Sequence, residues 1–268
     1  PSSPAAAWGA ASAGDGAPAG HRPTQGRAPA QRSMRIMKKT FAPLALVVLL
    51  AACAPLPQGS GPSASSSAVD APTRVHRQGD TIVYTGPLSD AANRQVAALL
   101  DARTTTLRIS SRGGEIGLGM DLGDLVFGRG LNVEVGAHCF SSCANYVFPA
   151  GKRKILRRHS LLGWHGGALQ PMQFDDPKMQ AGYEAYVTQA RQREAAYFQK
   201  IGVQQQSTVY GQRDEFKAHA DCVGWDYSPA AMAALGMRRI ELADGMWQPD
   251  RTFEGKCLFR VEAVRPAP

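Results

Sequence analysis

Two adjacent serines, Ser141 and Ser142, sit inside a cysteine bracket, Cys139-Phe140-Ser141-Ser142-Cys143. An apolar run at 131–135 precedes them, and a second, Tyr146-Val147-Phe148, follows. Where a strand turns into a helix, a backbone can hold a hydroxyl in the open and aim N–H groups at a developing negative charge. Upstream lies Ser110-Ser111-Arg112-Gly113-Gly114-Glu115. A glycine pair after a strand lets backbone N–H groups face a cleft with no Cβ in the way. Downstream, Leu161-Leu162-Gly163-Trp164-His165-Gly166-Gly167 ends an apolar strand on a histidine between glycines. Singly, these are helix caps, a tight turn and a structural histidine. Together they hold the parts of serine acyl transfer: a nucleophile, a base and oxyanion donors. His138 and His159 are rival bases. His138 directly precedes the bracket, and His159 falls in a basic run that reads as exposed.

Two other chemistries fit less well. There is no Gly-x-Ser-x-Gly elbow, which disfavours an α/β-hydrolase. Gly114, Gly117 and Gly119 reverse the order of the dinucleotide fingerprint, so a nicotinamide cofactor is not expected. No second close Cys/His pair has ligand spacing, and no metal is assigned.

The elements that must position these groups alternate. Residues 81–84 read as a strand ending at Gly86-Pro87. Ser89 caps a helix running to residue 100, with Val96, Leu99 and Leu100 on one side. Residues 105–110 form a strand, 115–127 a helix with Ile116, Met120 and Leu125 inward, and 131–135 the next strand. The serine turn then opens a helix to about residue 148. Short strands follow at 155–156 and 161–164, then a long helix at 176–201. A helix at 229–235, capped by Ser228, and a strand at 239–242 come last. Strand–helix alternation with short links predicts an α/β fold with mainly parallel strands. The stripe Tyr183, Tyr186, Val187, Ala190, Tyr197 and Phe198 marks core or oligomer packing on the long helix.

The order of the three motifs, ISSRGGEIGLGMDL, CFSSCANYVFPAGK and LLGWHGG, resembles the Clp protease proteolytic subunit and its crotonase-like relatives. The resemblance covers residues 81–165, and SPAAMAALG at 228–236 weakly. An exported bacterial subgroup with a Cys-x-Ser-x-Cys serine turn is the most similar in pattern. It implies a spiral of repeated strand-strand-helix units and serine peptidase chemistry, with His165 as base. Gly113-Gly114 would supply one oxyanion N–H, and the residue after the nucleophile the other. The cysteine spacing selects Ser141, with Ser142 N–H as donor; counting back from Ala150-Gly151 selects Ser142, with Cys143 N–H. Ser141 is preferred, and both stay open. The pattern departs at the triad acid. Gly224 falls at the counted place, with Asp221 and Asp226 on either side as candidates and Asp175 and Asp176 further off. A dyad, or a non-catalytic member that binds peptides or partner proteins, is the alternative. The resemblance also implies a homo-oligomer and no cofactor; a coenzyme-A enzyme is set aside because the chain reads as exported.

Export is read from the N-terminal part. Residues 1–33, rich in Ala, Gly, Pro and Ser, read as a disordered or non-native upstream segment, with Met34 or Met37 as the expected start. Residues 34–53 read as a lipoprotein signal peptide: Arg35, Lys38 and Lys39, then a short apolar run at 40–52, then Leu50-Ala51-Ala52-Cys53. Cys53 is the expected lipidation (palmitate) site, residues 54–78 a flexible tether, and 79–268 the folded domain with a C-terminal extension. The expected location is the bacterial cell envelope, facing the periplasm, with a lipid anchor in the membrane. Of the net charge of +8, residues 1–52 carry +5 and the rest +3. No basic stripe is interleaved with aromatics, so nucleic acid is not an expected partner; a peptide or protein substrate is. Four cysteines remain beyond Cys53, and in an exported chain an even number suggests disulfides. Of three possible pairings, Cys139–Cys143 with Cys222–Cys257 is the expected one.

Overall fold

The structure, a computed structural model, describes residues 72–265. The signal segment, Cys53 and most of the expected tether lie outside the described residues. The first strand, β1 (Arg74–Gln78), falls within the stretch assigned to the tether, so the folded domain starts earlier than residue 79.

β1 pairs antiparallel with β2 (Thr81–Thr85) across a two-residue turn at Asp80, where Gly79 takes φ +64°. From β2 the chain passes through Gly86-Pro87 into α1 (Asp90–Leu99), where Ser89 Oγ accepts the Ala92 N–H at 3.2 Å. β3 (Thr106–Ser111) then lies parallel to β2. α2 (Ile116–Arg129) is capped by the Glu115 carboxylate on Leu118 N–H and ends on left-handed Gly130. β4 (Asn132–Phe140) lies parallel to β3. Its first half pairs with β5 (Lys154–Leu156) and its second with β6 (Leu161–Gly163), both parallel. After α4 (Pro177–Ile201), 3-10 turns fill residues 205–219, and β7 (Gly224–Tyr227) leads to α5 (Pro229–Ala234). β8 (Ile240–Leu242) joins the far side of β5. β9 (Thr252–Phe253) and β10 (Lys256–Val261) form a second small sheet with β7.

The fold is therefore mixed α/β around a mostly parallel sheet, ordered β1-β2-β3-β4-β5-β8 with β6 beside the end of β4. Parallel strands covered by helices are apolar on both faces. Ile82, Leu107, Ile109, Val133 and Val135 are fully buried accordingly, against Val96, Leu122, Val126 and Phe148. Glu134, a buried carboxylate on this sheet, is held by Arg108 and Arg157.

The structure differs from the expectation around the serines. β4 does not stop at Val135. It runs on through Gly136-Ala137-His138 to Phe140, because β6 supplies a partner for those residues. The expected helix after the serines is a π-turn (Cys143–Val147) followed by one short helical turn, α3 (Phe148–Ala150). π-turns recur at functional sites because the wider turn frees backbone groups. The C-terminal stretch is not a mere extension: β10 pairs parallel with β7 and completes the second sheet. Both expected cysteine pairings are present, Cys139–Cys143 and Cys222–Cys257.

Candidate active site

Ser141 ends β4 and takes a left-handed backbone, φ +58°. For a residue with a Cβ this costs about 1–2 kcal/mol, so something must hold it. Its N–H donates to Gly163 O at 3.0 Å, and its carbonyl accepts the Asn145 N–H at 2.8 Å. The Cys139–Cys143 bridge closes the same turn. The result is a half-buried side chain projecting from the C-terminal end of the sheet.

His165 follows β6, the strand beside β4, so strand pairing alone brings it to Ser141. Its Nε2 lies 2.7 Å from Ser141 Oγ. The imidazole stacks on Phe140, with centroids 5.1 Å apart and planes 10° from parallel. Phe140 stacks in turn on Phe253 of the second sheet. Three bonds fix the backbone beneath the ring: Trp164 N–H to Trp225 O at 2.8 Å, Gln212 Nε2 to His165 O at 3.0 Å, and Asn145 Nδ2 to Gly166 O at 2.7 Å. The residue keeps an exposed edge, and partial desolvation of the ring against these neighbours lowers its pKa below the usual histidine value. Among the described residues nothing lies within hydrogen-bond reach of Nδ1.

Ser142 is placed differently. It is buried, and its Oγ donates to Gly114 O at 2.7 Å. That bond ties the serine turn to the glycine loop. Gly113, at φ +93°, presses its Cα against the Ser141–Ser142 peptide; a Cβ there would fall 2.9 Å from Ser142 N and 2.6 Å from Phe140 O. Gly113 N–H is taken by Ser111 Oγ at 3.1 Å. Gly114 N–H and Ser142 N–H have no acceptor among the described residues. Two open N–H groups beside the serine are what an oxyanion needs.

The glycines of α2 also have a physical role that their spacing did not suggest. A Cβ on Gly119 would meet Tyr146 at 2.6 Å and Ser142 at 3.0 Å, and one on Gly123 would meet Tyr146 O at 2.7 Å. They let α2 close directly on the serine turn.

The aspartates expected nearby do not reach the histidine. Asp226, in β7, is buried and gives both carboxylate oxygens to Arg260, at 2.9 Å to Nε and 2.6 Å to Nη2. Asp221 is exposed in the turn before β7. Asp176 caps α4 through Lys178 N–H, and Asp175 lies in the bend before it. His138 packs on Phe253 and His159 faces Gln248 O, both away from Ser141. No family model matches this sequence, and no curated protein matches it.

Sequence reasoning missed two groups of residues. One is the ring stack of Phe140 and Phe253 under His165, which joins residues far apart in the chain. The other is Glu194, a fully buried carboxylate on α4. It accepts from Tyr146 Oη at 2.6 Å, Gln205 Nε2 at 2.7 Å and Ala168 N–H at 3.3 Å. It thereby joins the serine π-turn to the loop after His165. Only its place inside an apolar helical stripe could have flagged it. One recess reaches His165, and a second lies beyond the glycine loop without touching Ser141 or His165. The first, about 240 Å³, is lined by His165, Arg213, Phe216, Lys217, Trp225 and Phe259. The second, about 260 Å³, lies between Glu115, Met120, Tyr186 and Arg193. Among the described residues no group of His, Cys, Asp and Glu could hold a metal ion.

Proposed function

We propose that this chain is a serine hydrolase of Clp-like, crotonase-type layout, acting on peptides in the bacterial cell envelope through an acyl-enzyme. The observation that carries the reading is the 2.7 Å contact of His165 Nε2 with Ser141 Oγ, made by a serine held in a left-handed backbone. A structural serine has no need of that strain, and strain of this kind concentrates at working sites. Ser141 Oγ attacks the carbonyl carbon, and His165 Nε2 takes its proton. The oxyanion is met by Gly114 N–H and Ser142 N–H. The C–N bond breaks as His165 returns the proton to the leaving amine, and water, deprotonated by the same nitrogen, releases the acyl group. Ser142 is a positioning residue in this scheme. Through its bond to Gly114 O it fixes the loop whose Gly114 N–H would meet the oxyanion. The two disulfides fit an oxidising compartment, and a Cys53 lipid anchor would place the domain at a membrane surface.

A second reading has its own support. Asp226 is committed to Arg260, and no carboxylate reaches His165 among the described residues. The site is then a dyad, or a cleft that binds peptides without cleaving them. A fluorophosphonate probe separates the two. Covalent adduct on Ser141, mapped by mass spectrometry and lost in Ser141→Ala and His165→Ala, is the expected result. A folded protein that forms no adduct between pH 6 and 9 would leave only the binding reading.

A further inference from the structure

A second concave site lies at the other end of β4, away from the serine. It is a cavity of about 480 Å³ lined by Lys152, Lys154, Arg238 and Arg239 with Phe127, Ile201 and four glycines. No Asp or Glu lines it, and none of its four cations has a carboxylate partner among the described residues. The neighbouring Arg153, by contrast, is paired with Glu241 at 3.0 Å. The nine residues of β4 at ~3.3 Å each put roughly 30 Å between this end of the strand and Ser141.

Lys154 is the centre of the site. It opens β5 and is buried, with 6 % of its surface exposed. Its ammonium donates to Gly151 O at 2.8 Å and Arg238 O at 3.1 Å, which leaves one proton for the cavity. Burial, and then the charge of Arg239, lower its pKa to about 8. A lone ammonium is a poor choice for a core position unless something anionic offsets its desolvation.

The backbone around it is shaped at a cost. Arg239 takes φ +58°, a conformation that glycine adopts freely and arginine does not. Gly236, at φ +95°, folds the chain back so that a Cβ would strike Gly202 O at 2.5 Å. This fold-back sets Arg238 and Arg239 on the rim and aims Arg238 O at Lys154. Helix ends also meet here: α2 ends at Gly130 and α4 at Gly202, with the short α5 near Gly236. Each long helix brings about half a negative charge. That offsets roughly one of the four cations, so the cavity stays strongly positive.

We infer that this cavity is a binding site for a phosphate- or pyrophosphate-bearing group, held by Lys154 at its floor and Arg238, Arg239 and Lys152 at its rim. Guanidinium forks fit phosphate oxygens in pairs, and the size allows a phosphate with an attached sugar or alcohol. The site does not depend on the chemistry proposed for Ser141.

The experiment is calorimetric titration of the full chain with inorganic pyrophosphate, beside co-sedimentation with phosphatidylcholine vesicles with and without phosphatidylglycerol. One-to-one pyrophosphate binding is expected, weakened by about tenfold or more in Arg239→Gly and in Lys154→Met. Arg239→Gly relieves the backbone, so its melting temperature is expected to hold or rise while binding falls. That opposite movement keeps the test readable should Lys154→Met fold poorly. Binding to phosphatidylglycerol vesicles alone, lost in the same variants, assigns the phosphate to a lipid headgroup. No binding in either arm, or binding that survives Arg239→Gly and Lys154→Met, overturns the inference.

Discussion

Removing the two disulfides one at a time is expected to separate stability from chemistry. The Cys139–Cys143 bridge spans a sequence separation of 4, and Cys222–Cys257 one of 35. Loop-closure entropy then assigns about 2 kcal/mol to the short bridge and about 4 kcal/mol to the long one. Cys139 and Cys143 are fully buried, so cutting both to alanine adds a packing loss of about 1 kcal/mol. The short bridge nevertheless closes the turn that holds Ser141 at φ +58°. Its hold on the serine is geometric, because it ties the two cysteines on either side of the Ser141–Ser142 pair with their Cα atoms 5.3 Å apart. Without it, the serine is free to relax toward extended backbone and draw its Oγ away from His165. A displacement of about 1 Å at a reacting atom costs on the order of 100-fold in rate. Urea unfolding and fluorophosphonate labelling, each under conditions where the variant is fully folded, give both readouts. Cys222→Ala/Cys257→Ala should lose the more stability or nearly so, yet label at close to the parent rate. Cys139→Ala/Cys143→Ala should keep its fold and label far more slowly. Parent-rate labelling in the short-bridge variant would refute the argument that the bridge holds the serine.

Ser142→Ala removes only the bond to Gly114 O. One neutral hydrogen bond is worth about 0.5–1.5 kcal/mol, so labelling should slow by about 2- to 13-fold, against complete loss in Ser141→Ala. Glu194→Gln puts a donor where Gln205 already donates and leaves one buried group unpaired. Urea unfolding should report a loss of about 1–3 kcal/mol. His165 and His138 both have pKa values lowered by burial. Between the folded pKa and the ordinary value near 6.5 the unfolded chain binds more protons, so stability rises with pH there. Their contribution is full above about 6.5 and is lost as pH falls through the folded pKa. The stability–pH slope below 6.5 should flatten in His165→Ala and His138→Ala. Labelling should likewise fall as His165 protonates, at a pH below 6.5.

The parts of the fold legible in the sequence are those whose signals are local. Ser89 and Ser228 cap the helices that follow them, and Val96 and Met120 face inward as expected, whereas Leu99, Leu100, Ile116 and Leu125 are only partly buried and Leu122 and Val126 take the core positions of α2. The missed strands lack such signals. β1 is an edge strand with one buried residue, Val75, among polar ones. β7 reads Gly-Trp-Asp-Tyr and is buried throughout. Glycine and aspartate are poor strand formers. Asp226 is tolerated there because Arg260 neutralises it from β10, 34 residues away, and that pairing cannot be read from either segment alone. The far half of β4 reads as a turn at Gly136-Ala137 until β6 is laid beside it.

The candidate site follows the same division. Ser141, His165 and the two glycines each end or follow a strand, and strands β3, β4 and β6 are neighbours, so proximity comes with the sheet. The register of the serines did not come with it. It is set by the left-handed turn at Ser141, which sends Ser142 inward to Gly114 O and leaves Ser141 facing His165. Aspartates are the expected orienting partners of His165 because a carboxylate both aims an imidazole and stabilises its cation. In the structure those two tasks are not joined. Phe140 and the Gln212 and Asn145 side chains orient the ring and the backbone beneath it, and they carry no charge. In the proposed reaction an imidazole aimed in this way serves as base while neutral, which its lowered pKa favours, but the cation formed during attack would have no counter-charge among the described residues. Under the proposed reading, this missing counter-charge slows amide turnover more than capture of a phosphonyl group. That is why labelling of Ser141, rather than peptide cleavage, is the measurement on which the proposal stands.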